Sequence, residues 1–125
     1  MSDATIDDRI FSMDRAQLDA YPDGVITLDR AGTIVRYNRA EALLARREQA
    51  GTIGLNFFTD VAPCTAVQEF EGRFRAFASH DDSKVERFEF IFKFAWGFQD
   101  VGITLIRKAG FPEINILVTK RSKNN

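Results

Sequence analysis

Phe88, Phe90, Phe92 and Phe94 stand at strict period two, with Glu89, Ile91 and Lys93 between them. This run constrains the fold more tightly than any other stretch of the chain. A period of two puts the four rings on one side of an extended strand and the intervening side chains on the other. Four phenylalanines on one face must be covered. The cover is offered upstream, where Phe70, Phe74 and Phe77 recur at spacings of four and three and predict an amphipathic helix. Downstream, residues 103–107 and 114–120 predict two further strands, so the last third of the chain reads as an antiparallel meander.

The first half supplies the rest of a sheet. Residues 25–29 and 33–37 are β-rich runs joined by Arg30-Ala31-Gly32, a turn with glycine late in it, and read as a hairpin. Asn38 with Glu41 three residues on has the form of a capping box, and residues 40–47 continue as a short helix. Gly51 and Gly54 then break the chain, and a loop runs on to Pro63 and Cys64. Ile10, Met13 and Leu18 mark a short helical segment over residues 3–18, too small to be a domain. Hairpin, helices and meander together predict an α+β fold: a five-stranded antiparallel sheet with helices on one face. A mass of 14.2 kDa fits one domain, divided into an N-terminal helical cap over 1–18 and a core over 19–125.

Charge and cysteine usage exclude several functions. Seventeen basic residues against eighteen acidic ones leave a net charge of −1, without the basic excess that nucleic-acid binding requires. Lys93 interrupts the richest apolar stretch, so no membrane span is expected. The acidic start, Ser2 to Arg9, lacks the apolar core of a signal peptide, so a cytoplasmic location is expected. One cysteine and one histidine provide neither an intrachain disulfide nor a dedicated metal site.

Cys64 is the one soft nucleophile, and a free cysteine is most often core filler. Its setting offers an alternative. It follows Pro63 and precedes Thr65, a residue suited to capping the helix of Phe70 and Phe74, and a helix N-terminus favours the thiolate. Tyr37 and Glu41 lie four residues apart across a strand-to-helix junction and can converge on one pocket. Taken singly, Glu41 is explained by the capping box and Tyr37 by a surface hydroxyl. His80, beside Asp81 and Asp82, reads as a solvated turn rather than a catalytic partner of Cys64. Trp96 reads as a loop anchor or a pocket lid.

Together these residues resemble the photoactive yellow protein family, blue-light receptors of the PAS superfamily. The stretch Gly54-Leu55-Asn56-Phe57-Phe58-Thr59-Asp60-Val61-Ala62-Pro63-Cys64-Thr65 carries the likeness, continuing through Glu69-Phe70 and Gly72-Arg73-Phe74. It resumes at Tyr37-Asn38 and Ala40-Glu41, and weaker matches reach from Met13 to Arg121. Asn-x-x-Glu is common to PAS domains in general. Val-Ala-Pro-Cys-Thr with an upstream Tyr-x-x-x-Glu is much narrower.

The resemblance implies a PAS fold and a photoreceptor without catalytic turnover. It implies a p-coumaric acid (4-hydroxycinnamoyl) chromophore held as a thioester on Cys64, with Tyr37 and a protonated Glu41 donating to its phenolate. Arg47 matches a family arginine that covers the pocket, and Thr65 and Trp96 belong to the same binding set. Signalling then follows photoisomerisation, proton transfer from Glu41 and loosening of residues 1–18 toward an unidentified signalling partner, in a monomer or weak dimer. Three positions depart from the family: Ala45 replaces a threonine that bonds the pocket tyrosine, Trp96 a methionine that speeds recovery, and Phe90 a tyrosine. The competing reading is a PAS module that senses another molecule or mediates dimerisation, with Cys64 unmodified.

Overall fold

A computed structural model describes residues 6–121. The expected meander is present. β3 (Lys84–Phe94) pairs antiparallel with β4 (Gly97–Arg107) along its whole length, and β4 pairs with β5 (Ile114–Lys120). The hairpin of β1 (Gly24–Leu28) and β2 (Ile34–Tyr37) joins the far edge through β1 and β5. The five strands run in the order β2-β1-β5-β4-β3. Gly32, at φ 94°, lets the hairpin turn close where a side chain would be strained.

Strand alternation gives the sheet two different faces. Ile26, Leu28, Ile103, Leu105, Ile114, Ile116 and Val118 point to one side and form the main core with Phe57, Phe58, Phe70, Phe74, Phe77 and Phe92. The phenylalanine ladder of β3 lies on this side. Only Phe92 is fully buried, while Phe88, Phe90 and Phe94 are half-covered at the sheet edge and pack against the cluster. Phe70 meets Phe88 and Phe90 edge-on at 5.4 and 5.1 Å, the arrangement that ring quadrupoles favour.

The helix predicted from Phe70, Phe74 and Phe77 is shorter than its periodicity suggests. Residues Gln68–Gly72 form a wide π-type turn, and the α-helix itself (counted below as α4) covers only Arg73–Ala78. All three rings are nevertheless buried. Two distant arginines finish the helix end: Arg107 donates to the carbonyl of Phe77 at 2.8 Å, and Arg30 to those of Ala78 and His80. These bonds satisfy carbonyls that a helix terminus leaves without partners.

The other face of the sheet carries the N-terminal segment. It is not one helix but α1 (Ile6–Arg9), a tight turn (Ile10–Ser12) and α2 (Arg15–Ala20), the last started by a full capping box between Asp14 and Gln17. Residues 1–5 of the expected cap lie outside the described residues. Ile10 and Leu18 pack with Val25, Ile106 and Leu117 in a second, smaller cluster. The remaining helix, α3 (Arg39–Ala45), follows β2 on the side of the main core. No described helix is long and apolar enough to cross a membrane.

Candidate functional site

Asn38 starts α3 and decides what Glu41 is free to do. Its Oδ1 accepts from the backbone N–H of Glu41 at 3.1 Å and of Val25 at 2.8 Å, while its Nδ2 donates to the carbonyls of Leu18 and Asp23. The asparagine thus caps the helix alone. The reciprocal bond from the glutamate side chain, which a capping box would contain, is not made. Glu41 Oε1 is instead buried without a hydrogen-bond partner. It lies against Gly24 of β1, where an added β-carbon would collide with it, so glycine is required there for the carboxyl to fit. Burial, with no cation to offset it, pushes the Glu41 carboxyl up to about 8. At neutral pH the group keeps its proton and is a donor.

Tyr37 ends β2 on the core side. Its ring is buried, contrary to the surface position expected from the strand alone, and its hydroxyl also lacks a partner. Burial raises its pKa, the nearby Glu41 charge raises it further, and Arg47 opposes both. Glu41 and Arg47 therefore each lie within electrostatic reach of Tyr37. Buried polar groups normally find partners, and each exception calls for a reason. A tyrosine hydroxyl and a protonated carboxyl without acceptors can each donate to an acceptor atom, best of all an anionic one.

Cys64 sits in a short turn, Pro63–Thr65, half-buried against the same main core as Tyr37. The backbone N–H of Lys93 donates to Sγ at 3.5 Å and fixes the sulfur beside β3. Thr65 does not cap the following helix. Its hydroxyl donates to the carbonyl of Ala62 at 2.6 Å, Val67 turns the chain extended, and α4 begins only at Arg73. Cys64 therefore does not stand at the start of α4. His80 stands in the exposed turn after α4, and among the described residues no base bonds to the sulfur.

Trp96 belongs to a stack that the sequence did not suggest. Its indole lies parallel to Phe94, with centroids 4.5 Å apart and planes 6° apart, and the Arg46 guanidinium carbon is 4.4 Å from the indole centroid. Arg46 is the C-terminal cap of α3 and holds a left-handed backbone at φ 55°, a conformation that costs a non-glycine residue energy. The stack ties the end of the Glu41 helix to the β3–β4 turn, close in sequence to the Cys64 contact at Lys93. The arginine of this stack is Arg46; Arg47, the arginine expected over the site, acts electrostatically on Tyr37.

The PAS fold family matches residues 12–108. The photoactive yellow protein of Cereibacter sphaeroides is 38% identical over 102 residues, covering 82% of this chain and 80% of that protein. The one from Rhodothalassium salexigens is 43% identical over 89 residues, or 71% and 70% of the two chains. Among solved structures, the photoactive yellow protein domain from the sensor histidine kinase Ppr of Rhodospirillum centenum superposes with a TM-score of 0.83 at 40% identity. That match covers 92% of this chain and all of that domain.

Proposed function

Because this chain belongs to the photoactive yellow protein family of PAS-fold photoreceptors, we propose that it is a blue-light receptor carrying a p-coumaroyl group on Cys64. The observation that carries this reading is the pair of buried donors without acceptors, Tyr37 Oη and Glu41 Oε1. When bound, the group supplies absorption of blue light and isomerisation about its double bond.

The residues present fit such a group. Cys64 Sγ exchanges its S–H bond for a bond to the acyl carbon of an activated acid, and the proton leaves with the activating group. Phe70, Phe92 and Phe94 provide apolar walls that exclude water. Tyr37 Oη and the protonated Glu41 carboxyl would donate to the group's phenolate oxygen. These charge-assisted bonds offset a burial cost of several kcal/mol for an anion. In the lit state Glu41 would pass its proton to the phenolate oxygen, leaving a buried carboxylate on the protein. A penalty of that size rivals the stability of a small domain. Its outlet is loosening of residues 1–18, which a downstream signalling protein then reads.

The direct test is reconstitution. Apoprotein mixed with activated p-coumaric acid gains a visible band and the mass of one thioester. A wild-type protein that stays colourless overturns the reading and leaves a PAS module with an unmodified thiol.

Two further outcomes follow from the residues in which this chain departs from its family. Trp96 is held on both the Phe94 and Arg46 sides, and such contacts contribute about 1–2 kcal/mol together. Trp96→Met replaces them with a flexible thioether, so dark recovery after a flash accelerates by roughly tenfold. Unchanged recovery would place the indole outside the path of return. Ala45 is buried and offers Tyr37 no hydroxyl. Ala45→Thr restores one, strengthens the Tyr37 donor and moves the absorbance maximum to the blue, with recovery nearly unchanged.

A further inference from the structure

The strand that carries Tyr37 holds something on its opposite face. Arg36, one residue earlier, reaches the N-terminal segment: Nη1 donates to the carbonyl of Met13 and Nη2 to that of Ile10, both at 3.0 Å. The guanidinium is fixed from below as well. Nε donates to Thr27 Oγ1 at 2.9 Å, Nη2 also donates to Asn115 Oδ1 at 3.0 Å, and Thr27 Oγ1 donates to that same Asn115 oxygen. Strands β1, β2 and β5 thus cooperate to aim one fork at two backbone carbonyls. One carbonyl belongs to the residue that opens the tight turn and the other to Met13, where the chain becomes extended before α2. A guanidinium supplies donors there in a fixed, planar arrangement.

The segment has other holds as well. Ile10 and Leu18 are buried in the small outer cluster, Phe11 and Met13 pack against it, and Phe11 lies 4.9 Å from Phe111. Asp19 of α2 accepts from the Arg39 N–H at 3.0 Å and from Gln49 Nε2 at 2.7 Å. Asn38 reaches the Leu18 carbonyl at 2.8 Å. The ion pair of Arg87 with Asp7, at 3.2 Å, has a largely exposed arginine and belongs to a class that contributes little.

We propose that Arg36 is the residue through which a change at Tyr37 and Glu41 releases the N-terminal segment. This rests on the reading that Glu41 loses its proton after illumination. Residues 36 and 37 share a peptide bond and face opposite sides of one strand, so a displacement of Tyr37 is a displacement of Arg36. Moving the strand by about 1 Å takes contacts of 3.0 Å beyond hydrogen-bond length. Both carbonyls are then lost together, because one rigid group holds them. Arg36 is a positioning residue for the segment and touches nothing in the binding site.

Hydrogen exchange followed by mass spectrometry tests this on the full chain, as apoprotein and after loading with p-coumaric acid. In Arg36→Gln apoprotein, amides of residues 10–18 exchange about tenfold faster than in wild type, while those of β1 and β5 keep their protection. The loaded variant keeps the wild-type absorbance maximum. Illumination, which speeds exchange of residues 10–18 in the wild type, adds no further increase in Arg36→Gln. Wild-type protection of that segment in the variant, or a full-sized light response, overturns the proposal. Should Arg36→Gln fail to fold, Thr27→Val removes one support of the guanidinium and gives the same ordering at about threefold. Unchanged exchange there overturns it equally. A chain that takes no colour defeats the light-driven half together with the reading of the site, whereas the apoprotein comparison decides separately whether Arg36 holds the segment.

Discussion

Cys64→Ser, offered activated p-coumaric acid, remains colourless and gains no mass. The loss is complete rather than partial because the effect is chemical. A serine hydroxyl ionises far less readily than a thiol, and no base bonds to position 64 to help it. The fold tolerates the change. Cys64 is half-buried in a short turn, and its one hydrogen bond comes from a backbone amide that an oxygen accepts equally well. Circular dichroism and thermal melting of the apoprotein should therefore match wild type within a few degrees. A Cys64→Ser protein with the wild-type band would move the attachment elsewhere and remove the main support for the photoreceptor reading.

The second large effect belongs to Glu41. Glu41→Gln keeps the size of the side chain and removes the acidic proton. An amide is the weaker donor, so the dark phenolate is less stabilised and the absorbance maximum moves to the red. The amide also has no proton to release, so the yield or lifetime of the lit state changes. A pH signature accompanies this in the apoprotein. The folded carboxyl is raised from 4.5 to about 8, so its contribution to stability is complete below pH 4.5 and is lost progressively as pH rises to about 8. The loss is on the order of a few kcal/mol. Wild-type melting temperature should fall across that window, and the Glu41→Gln curve should be flatter. Identical spectra and identical pH profiles would reduce Glu41 to a helix residue without a role at the site.

Those two residues show how much of the site was legible beforehand. The sheet was readable because periodicity is local: Phe88 to Phe94 alternate, and the hairpin announces its own turn at Gly32. The buried triplet Phe70, Phe74 and Phe77 was readable for the same reason, although the π-type turn inside it left no mark on the spacing. Tyr37 and Glu41 were ambiguous alone. A capping box accounts for a glutamate at that position until geometry shows that Asn38 does the capping and the carboxyl is left over. What escaped was long-range and polar. Arg30 and Arg107 end α4, Arg36 grips Ile10 and Met13, and Arg46 covers Trp96. A guanidinium that bonds to a carbonyl dozens of residues away obeys no period, and its partner, being backbone, has no residue type to recognise. Thr65 failed in the opposite way. Its residue type suited a cap, but the extended Val67 separates it from the helix it was expected to start.

The Arg46–Trp96–Phe94 stack also gives the molecule an internal optical probe. Trp96 is the sole tryptophan of the chain, so the indole emission of this protein comes from one place. That place is the join between the end of α3 and the β3–β4 turn. The indole is already partly open to water; a guanidinium and a phenyl ring packed on it restrict its motion, and separating them exposes more of the ring. Emission wavelength and anisotropy therefore follow this join without any label, in the apoprotein as well as the loaded one.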